Sequence, residues 1–276
     1  MHFNCPVCKK KLNIEATRAV CENCHSFDRA RGGYYNLLLS QNGSCHGDNK
    51  EMVLARREFL SAGYYEPLAR RVAELAAEYT PTRGTLLDAG AGEGYYTDFC
   101  ERGLFLRDGD SDVSAFDISK DAVREIGKKN QRISLAVAGS YHMPISDSEF
   151  DTVINTFSPL ALEETLRVLK PGGHFIMAIP GEMHLFDLKQ VVYKTPYKNA
   201  VEDTALSGLE LVSDESLSYV MHIENNEDVC ALFMMTPYAY RTRPEDKQKI
   251  EALERLDCTA DFRIFVYRKG ANSDES

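Results

Sequence analysis

Apolar residues recur along this chain first at helical spacing and then in alternation with helices. In "KEMVLARREFLSAGYYEPLARRVAELAAEY" the apolar positions Val53, Leu54 and Leu60, then Leu68, Val72, Leu75 and Ala76, fall at helical spacing. They predict two helices broken near Gly63. From residue 84 the pattern changes. "GTLLDAG" is a short apolar strand, "EGYYTDFCERGLF" a helix, "SDVSAFDIS" a strand ending in Asp117, and "KDAVREIGKKN" a helix. "RISLAVAGS" and "EFDTVINTFS" are two more strands, "LALEETLRVLK" is a helix, and "PGG" turns the chain into the strand "HFIMAIPG". This alternation predicts a mostly parallel sheet covered on both faces. Near the end, "ADFRIFVYRK" alternates like a strand and suits an antiparallel partner at the sheet edge. The tail "GANSDES" is expected to be disordered.

Ahead of this region the pattern is different. Residues 1–36 are Cys-rich and dotted with Gly, and "SQNGSCHGDNK" at 40–50 is polar and turn-rich, as a linker is. Four of the eight Cys lie in the first 24 residues. In a reducing compartment such clustering favours a metal over disulfides. Cys5-x-x-Cys8, then Cys21-x-x-Cys24-His25, has zinc spacing, with thiolates on two knuckles able to close a tetrahedron. There are five candidates for four positions, and the chemistry of zinc favours Cys24 as a thiolate on the common C-x-x-C knuckle. A site closed by four protein ligands has no open position and is expected to be structural.

The second candidate site is "LLDAGAGEGYYT". It sets a strand, the acid Asp88, three glycines at 90, 92 and 94, and a helix in order. Glycine lets a backbone lie close to a ligand at a helix N-terminus. Asp117 ends the next strand, where a carboxylate can accept from both hydroxyls of a ribose. The glycine spacing is not the G-x-G-x-x-G of dinucleotide enzymes.

Composition narrows the reading modestly. The chain has 276 residues and needs no metal to supply a core. It lacks an apolar run of membrane-spanning length and an apolar N-terminal signal, which predicts a cytoplasmic protein with no membrane partner. The net charge of −10 argues against a uniformly basic nucleic-acid binder. Residues 1–60 nevertheless carry 9 Lys and Arg against 6 Asp and Glu, so the N-terminal part is the expected docking face for any RNA.

The glycine run, the "EFDTVI" strand and "LRVLKPGGHFIMAIPG", together covering about 84–180, resemble class I S-adenosyl-L-methionine (SAM) methyltransferases. With "CPVC", the stretch from Cys21 through "HSFDRARGGYYNLL", "ARREFLSAGYYEPL" at 55–68, "LKPGGHFIMAIPGEMHLFDLK" at 169–189 and "MTPYAYRTRP" at 235–244, the whole chain resembles the bacterial 23S rRNA (guanine-N1)-methyltransferases, a group that includes tylosin-type resistance enzymes. The resemblance implies an α/β fold: a class I SAM-methyltransferase (Rossmann-like) domain with a small N-terminal zinc-binding domain. It implies a zinc-binding RNA-recognition module at 1–38, a linker at 39–50 and a SAM-dependent methyltransferase domain at 51–276. It also implies methylation of N1 of a specific guanine in a 23S rRNA hairpin loop, and a homodimer.

The resemblance implies SAM as cofactor, with Gly92 and Glu93 in the turn, Asp117 at the ribose, and Tyr65 and His184 beside the cleft. Asp88 and Gly90 join these as cofactor-binding candidates. For one structural Zn2+ per chain it implies Cys5, Cys8, Cys21 and His25, in place of Cys24. Where many relatives carry an Asp at the adenine, "VAGSYHMP" places Gly139 or Ser140. Asn155, ending a strand, is a candidate to orient the nucleobase. Lys9, Lys10, Lys11, Arg29, Arg31, Arg56 and Arg57 are candidate phosphate contacts, and Tyr34 and Tyr35 candidate stacking faces. Two rival readings are a small-molecule class I methyltransferase and a non-catalytic zinc protein that binds RNA.

Overall fold

The computed structural model describes residues 1–39, 48–201 and 204–271. The linker expected at 39–50 therefore lies largely outside the described residues, as does the end of the tail, 272–276. The chain opens with β1 (Asn13–Ile14), β2 (Arg18–Val20) and β3 (Ser26–Asp28), followed by β4 (Tyr35–Asn36), α1 (Lys50–Ser61) and α2 (Glu66–Tyr79). Next come β5 (Thr85–Ala89), α3 (Tyr95–Arg107), β6 (Asp112–Asp117), α4 (Lys120–Lys129), β7 (Ser134–Val137), β8 (Phe150–Thr156), α5 (Leu162–Val168) and β9 (Leu169–Pro180). The C-terminal part holds α6 (Phe186–Val192), β10 (Leu209–Ile223), α7 (Asn226–Met234), α8 (Tyr238–Arg241), α9 (Pro244–Glu251) and β11 (Leu256–Lys269).

Local chemistry sets the helix ends. The Asn49 side chain caps α1 by accepting from the Met52 amide at 2.9 Å. Gly63, at φ +89°, ends the first helix and separates it from α2, as the helical periodicity predicts. Ser119 caps α4 in the same way as Asn49 caps α1.

The large sheet has the order β10-β11-β9-β8-β5-β6-β7-β4. Strands β4 through β9 pair in parallel, β11 runs antiparallel to β9, and β10 runs antiparallel to β11. The strand read in "ADFRIFVYRK" is thus antiparallel as expected, but it lies inside the sheet, because β10 pairs along its outer side and forms the edge. No helix among the described residues is long and apolar enough to cross a membrane.

Two apolar layers cover the sheet. Phe59, Tyr65, Leu68, Val72, Leu75 and Leu86 belong to one. In the other, Phe3, Cys5, Leu12, Cys21, Tyr35 and Leu37 pack with Leu87, Phe116, Phe150, Val153 and Phe175. The N-terminal segment is therefore the cover of one sheet face. It is laced on by a bridge between Phe3 and Ile145, by the Asn4 amide donating to the Pro144 carbonyl at 2.7 Å, and by β4 pairing with β7.

This segment also approaches α4 closely at one pair of glycines. A Cβ on Gly127 would lie 1.7 Å from the Gly32 carbonyl oxygen, so only glycine admits the backbone there. We predict that Gly127→Ala costs about 1–3 kcal/mol of stability through overpacking, outweighing alanine's better helix propensity. A denaturation midpoint equal to or above that of the wild type would show that the turn is not held against α4.

Candidate cofactor cleft and metal cluster

The chain leaves β5 through the glycine turn. The amides of Gly90 and Ala91 both donate to the Phe116 carbonyl at 3.0 Å, which ties the turn to the end of β6. A Cβ on Gly90 would meet Ser158 Oγ at 2.0 Å, so the loops after β5 and β8 touch only because residue 90 is glycine. Asp117 accepts the Gly92 amide on Oδ2 at 2.9 Å and the Ser119 amide on Oδ1 at 2.7 Å. Each carboxylate oxygen keeps acceptor capacity for a further donor.

Three carboxylates surround this turn. Asp88 is buried beneath it and accepts the Thr97 hydroxyl at 2.5 Å. Burial pushes Asp88 up to about 7, against the opposing Thr97 hydrogen bond and with help from Asp117 and Glu93. Burial also raises Glu93 and Asp117. Arg56 offsets part of this, contacting Glu93 at 3.4 Å and pairing with Asp48. Three carboxylates thus face one half-buried arginine, with Lys129 also acting on Glu93.

Beside the turn lies an aromatic chamber. Tyr65, expected on the segment before the first strand, is buried and meets His184 from the loop after β9, hydroxyl to Nε2 at 3.2 Å. His184 Nδ1 accepts the Asp261 amide at 3.3 Å, so Nε2 carries the ring proton and donates to Tyr65. Burial lowers the His184 pKa to about 3, so the ring is neutral at physiological pH. The Tyr65 hydroxyl, having accepted, keeps its own proton to give. Phe157, stacked on His184 at 6.1 Å, and Phe262 complete the walls. Phe157 has φ +57°, a strained state for a bulky residue, at the end of β8 where the cleft opens. Tyr96, the second residue of α3, packs against Phe157, and its buried hydroxyl has no hydrogen-bond partner among the described residues. Asn155 is buried, and its amide reaches toward the Ala89 carbonyl at 3.4 Å across the strand ends. Ser140 begins a short 3-10 turn after β7.

The ligand atoms of Cys5, Cys8, Cys21 and His25 all lie within 4.8 Å of one another. Cys8 and Cys21 sulfurs are 3.5 Å apart, and His25 Nδ1 is 3.5 Å from Cys5 and 3.4 Å from Cys21. A zinc tetrahedron with bonds of about 2.0–2.3 Å puts its donors at roughly such separations. The Lys10 amide helps hold the Cys8 thiol down to about 6, toward the thiolate that a metal needs. Cys24 is exposed at φ +60° and stands outside the cluster, because the knuckle turns there and sends His25 inward.

Comparison with known proteins matches residues 3–44 to the zinc-ribbon family described as "RlmA, N-terminal" and residues 87–177 to a methyltransferase domain. A Micromonospora griseorubida protein named as a 23S rRNA (guanine-N(1)-)-methyltransferase is 31% identical over 296 residues, covering 97% of each chain. The chain belongs to the 23S rRNA (guanine-N1)-methyltransferase family. A Streptomyces fradiae relative in this family, named 23S rRNA (guanine(748)-N(1))-methyltransferase, is 33% identical over 190 residues, 68% of this chain and 66% of that one. A Bacillus halodurans C-125 crystal structure described as a methyltransferase shares the fold at TM-score 0.50 and 16% identity, covering 74% of this chain and 99% of that one.

Within this family member, Tyr96, Phe157, Ser158 and Phe262 escaped sequence reasoning. Only the position of Tyr96 just beyond the glycine turn hinted at a role. The RNA candidates divide. Lys9, Lys11, Arg29 and Arg31 are exposed, and Lys10 is exposed but paired with Glu22. Arg56 and Arg57 are committed to Glu93 and Glu125. Tyr34 and Tyr35 are each 3% exposed, because both apolar layers claim them, and they offer no stacking face.

The cluster geometry generates one prediction. Purified Cys24→Ser is expected to retain one zinc per chain, and His25→Ala to lose it, by atomic absorption. Loss from Cys24→Ser with retention in His25→Ala would reverse the assignment.

Proposed function

We propose that this protein is a SAM-dependent methyltransferase acting on N1 of a guanine in a 23S rRNA hairpin loop, with one structural zinc in its N-terminal ribbon. The observation that carries the reading is family membership over 97% of the chain together with a glycine turn and Asp117 at the cleft. A cytoplasmic location and a homodimer belong to the same reading and rest on the resemblance alone.

The residues present fit SAM. Asp117 has acceptor capacity for a ribose diol, the glycines admit close approach, and the unpartnered Tyr96 hydroxyl is a polar atom awaiting a partner. Asp88, Gly90, Gly92, Glu93 and Asp117 would hold the cofactor from the turn, and Tyr65 and His184 from the opposite wall. The excess negative charge of the turn suits a cationic ligand. Bound SAM supplies a methyl group activated by its sulfonium.

The chain's own part is positioning. The neutral His184 fixes the Tyr65 hydroxyl as a donor and adds no positive charge to repel a sulfonium. The aromatic walls exclude water and offer ring faces to a cation. Guanine N1 lies on the pairing edge, so the base must be unpaired and splayed out to reach the cleft, as a loop base can be. Its N1 proton must leave for the lone pair to attack.

Two outcomes are expected. With SAM and unmodified 23S rRNA, primer extension should stop at a single guanine; label on small acceptors and none on RNA would overturn the substrate. In calorimetry, Tyr96→Phe should weaken SAM binding about tenfold, the worth of one buried hydrogen bond to a charged or polar group. Undiminished affinity would remove Tyr96 from the cofactor site.

A further inference from the structure

The acidic body of the chain contains a basic stretch in two pieces. Residues 189–198 hold Lys189, Lys194 and Lys198 with no acid, and residues 238–249 hold Arg241, Arg243, Lys247 and Lys249 against Glu245 and Asp246. In a chain of net charge −10 these two segments together carry net +5. The fold brings them together. Tyr193 meets Tyr197 at 5.7 Å and Tyr238 at 6.1 Å, and Arg243 and Lys194 both act on Asp246. Lys194, Lys198, Arg241 and Arg243 are exposed. Lys198 pairs with Glu182, and Lys249 with Asp246, but Lys194, Arg241 and Arg243 have no ion pair among the described residues. Tyr197 and Tyr240 are 49% and 52% exposed, large apolar rings left in water amid cations.

This patch is fastened to the cleft at two points. Asn199 donates to the carbonyls of Gly181 at 2.8 Å and His184 at 3.1 Å, so the loop carrying Tyr197 sits on the turn that carries His184. Asn49, the cap of α1, donates to the Tyr240 hydroxyl at 3.0 Å, and its neighbour Asp48 pairs with the Arg56 that contacts Glu93. The loop is also stiffened from within. Buried Lys189 donates to Asn199 Oδ1 at 2.6 Å and to the Tyr197 carbonyl at 3.1 Å, with its ammonium 4.4 Å from the Tyr197 ring centre. Such a ring is pre-positioned, so little side-chain entropy remains to be lost when a partner stacks on it.

The geometry points to this surface as a docking strip for single-stranded RNA beside the target base, with Lys194, Arg241 and Arg243 on phosphates and Tyr197 and Tyr240 on bases. Unpaired cations interleaved with exposed aromatic rings are what a single strand requires, because phosphates need charge and every base has a face to stack. The strip rests on the proposed RNA substrate and adds where the strand lies: at the rim of the cleft, apart from the basic residues of the zinc ribbon.

The test uses the full chain and a fluorescein-labelled RNA hairpin with a guanine in its loop. Replacing Lys194, Arg241 and Arg243 by Gln together should weaken hairpin binding at least about tenfold at physiological salt. It should also lower the salt-dependence slope by about 2, since each single-strand phosphate contact contributes roughly 0.7. SAM affinity and the melting temperature should stay at wild-type values, which excludes misfolding as the cause. Tyr240→Leu should cost about tenfold in affinity with no change in salt slope, as loss of stacking does. Hairpin affinity and slope unchanged in the triple variant would overturn the strip. Failure of the RNA reading itself is distinguishable, because the wild type would then bind SAM and not the hairpin.

Discussion

The reversal of strand order at β5 is the constraint on which the rest of this structure depends. From β5 the sheet grows one way through β6 and β7 and the other way through β8 and β9, all parallel. Loops leaving β5 and β8 must therefore part company, and a crevice opens at their C-terminal ends. Everything with chemical potential hangs from that edge. The glycine turn leaves β5, Asp117 ends β6, Asn155 lies at the end of β8 with Phe157 just after it, and His184 follows β9. The same topology explains why Ser158 can press on Gly90: the two loops diverge from adjacent strands and touch only where a side chain is missing.

The crevice is electrostatically incomplete without a cation. Asp88 and Glu93 are buried, Asp117 is half-buried, and all three are raised, with Arg56 and, at Glu93, Lys129 opposing them. For Asp88 the sign is clear. Its folded pKa of about 7 exceeds the ordinary value, so its contribution to stability is fully present at acid pH and is lost as pH rises through about 7. At neutral pH, ionisation of Asp88 among these carboxylates favours a positively charged ligand. His184 acts in the opposite direction. Its pKa is lowered to about 3, so near neutrality it keeps the chamber free of a competing positive charge. Acids on one wall and a neutral imidazole on the other would suit the sulfonium of the proposed cofactor.

Much of this was legible in the sequence because it follows from short-range rules. The strand and helix alternation, the break at Gly63 and the glycine run with its two carboxylates are spacing signals; spacing also marks five zinc candidates, while the choice of His25 over Cys24 came from the family resemblance. What was not legible depends on tertiary context. Strand β10 reads "LELVSDESLSYVMHI", in which Ser, Asp and Glu dilute the apolar pattern, because an edge strand keeps much of itself in water. Strand β4 is two residues long, below any periodicity, and exists only because β7 offers a parallel partner. Tyr34 and Tyr35 look like stacking faces beside arginines, yet burial in the two apolar layers removes them. Tyr96 and Phe157 become interesting only through an unpartnered hydroxyl and a strained backbone, and neither leaves a mark in composition.

A chain of this length needs no metal to supply a core, so the zinc-ribbon match at its start calls for a physical reason. The three strands of the ribbon are two or three residues long and cannot hold themselves together by pairing alone. A cation at Cys5, Cys8, Cys21 and His25 would fix both knuckles and so shape a segment too small to fold unaided. The segment so shaped has structural work beyond its own outline. Phe3, Leu12, Tyr35 and Leu37 cover Leu87, Phe116 and Phe150 on the central strands, and Gly32 packs on α4, the helix that follows Asp117. The ribbon therefore covers a face of the same sheet whose strand ends carry the glycine turn and Asp117.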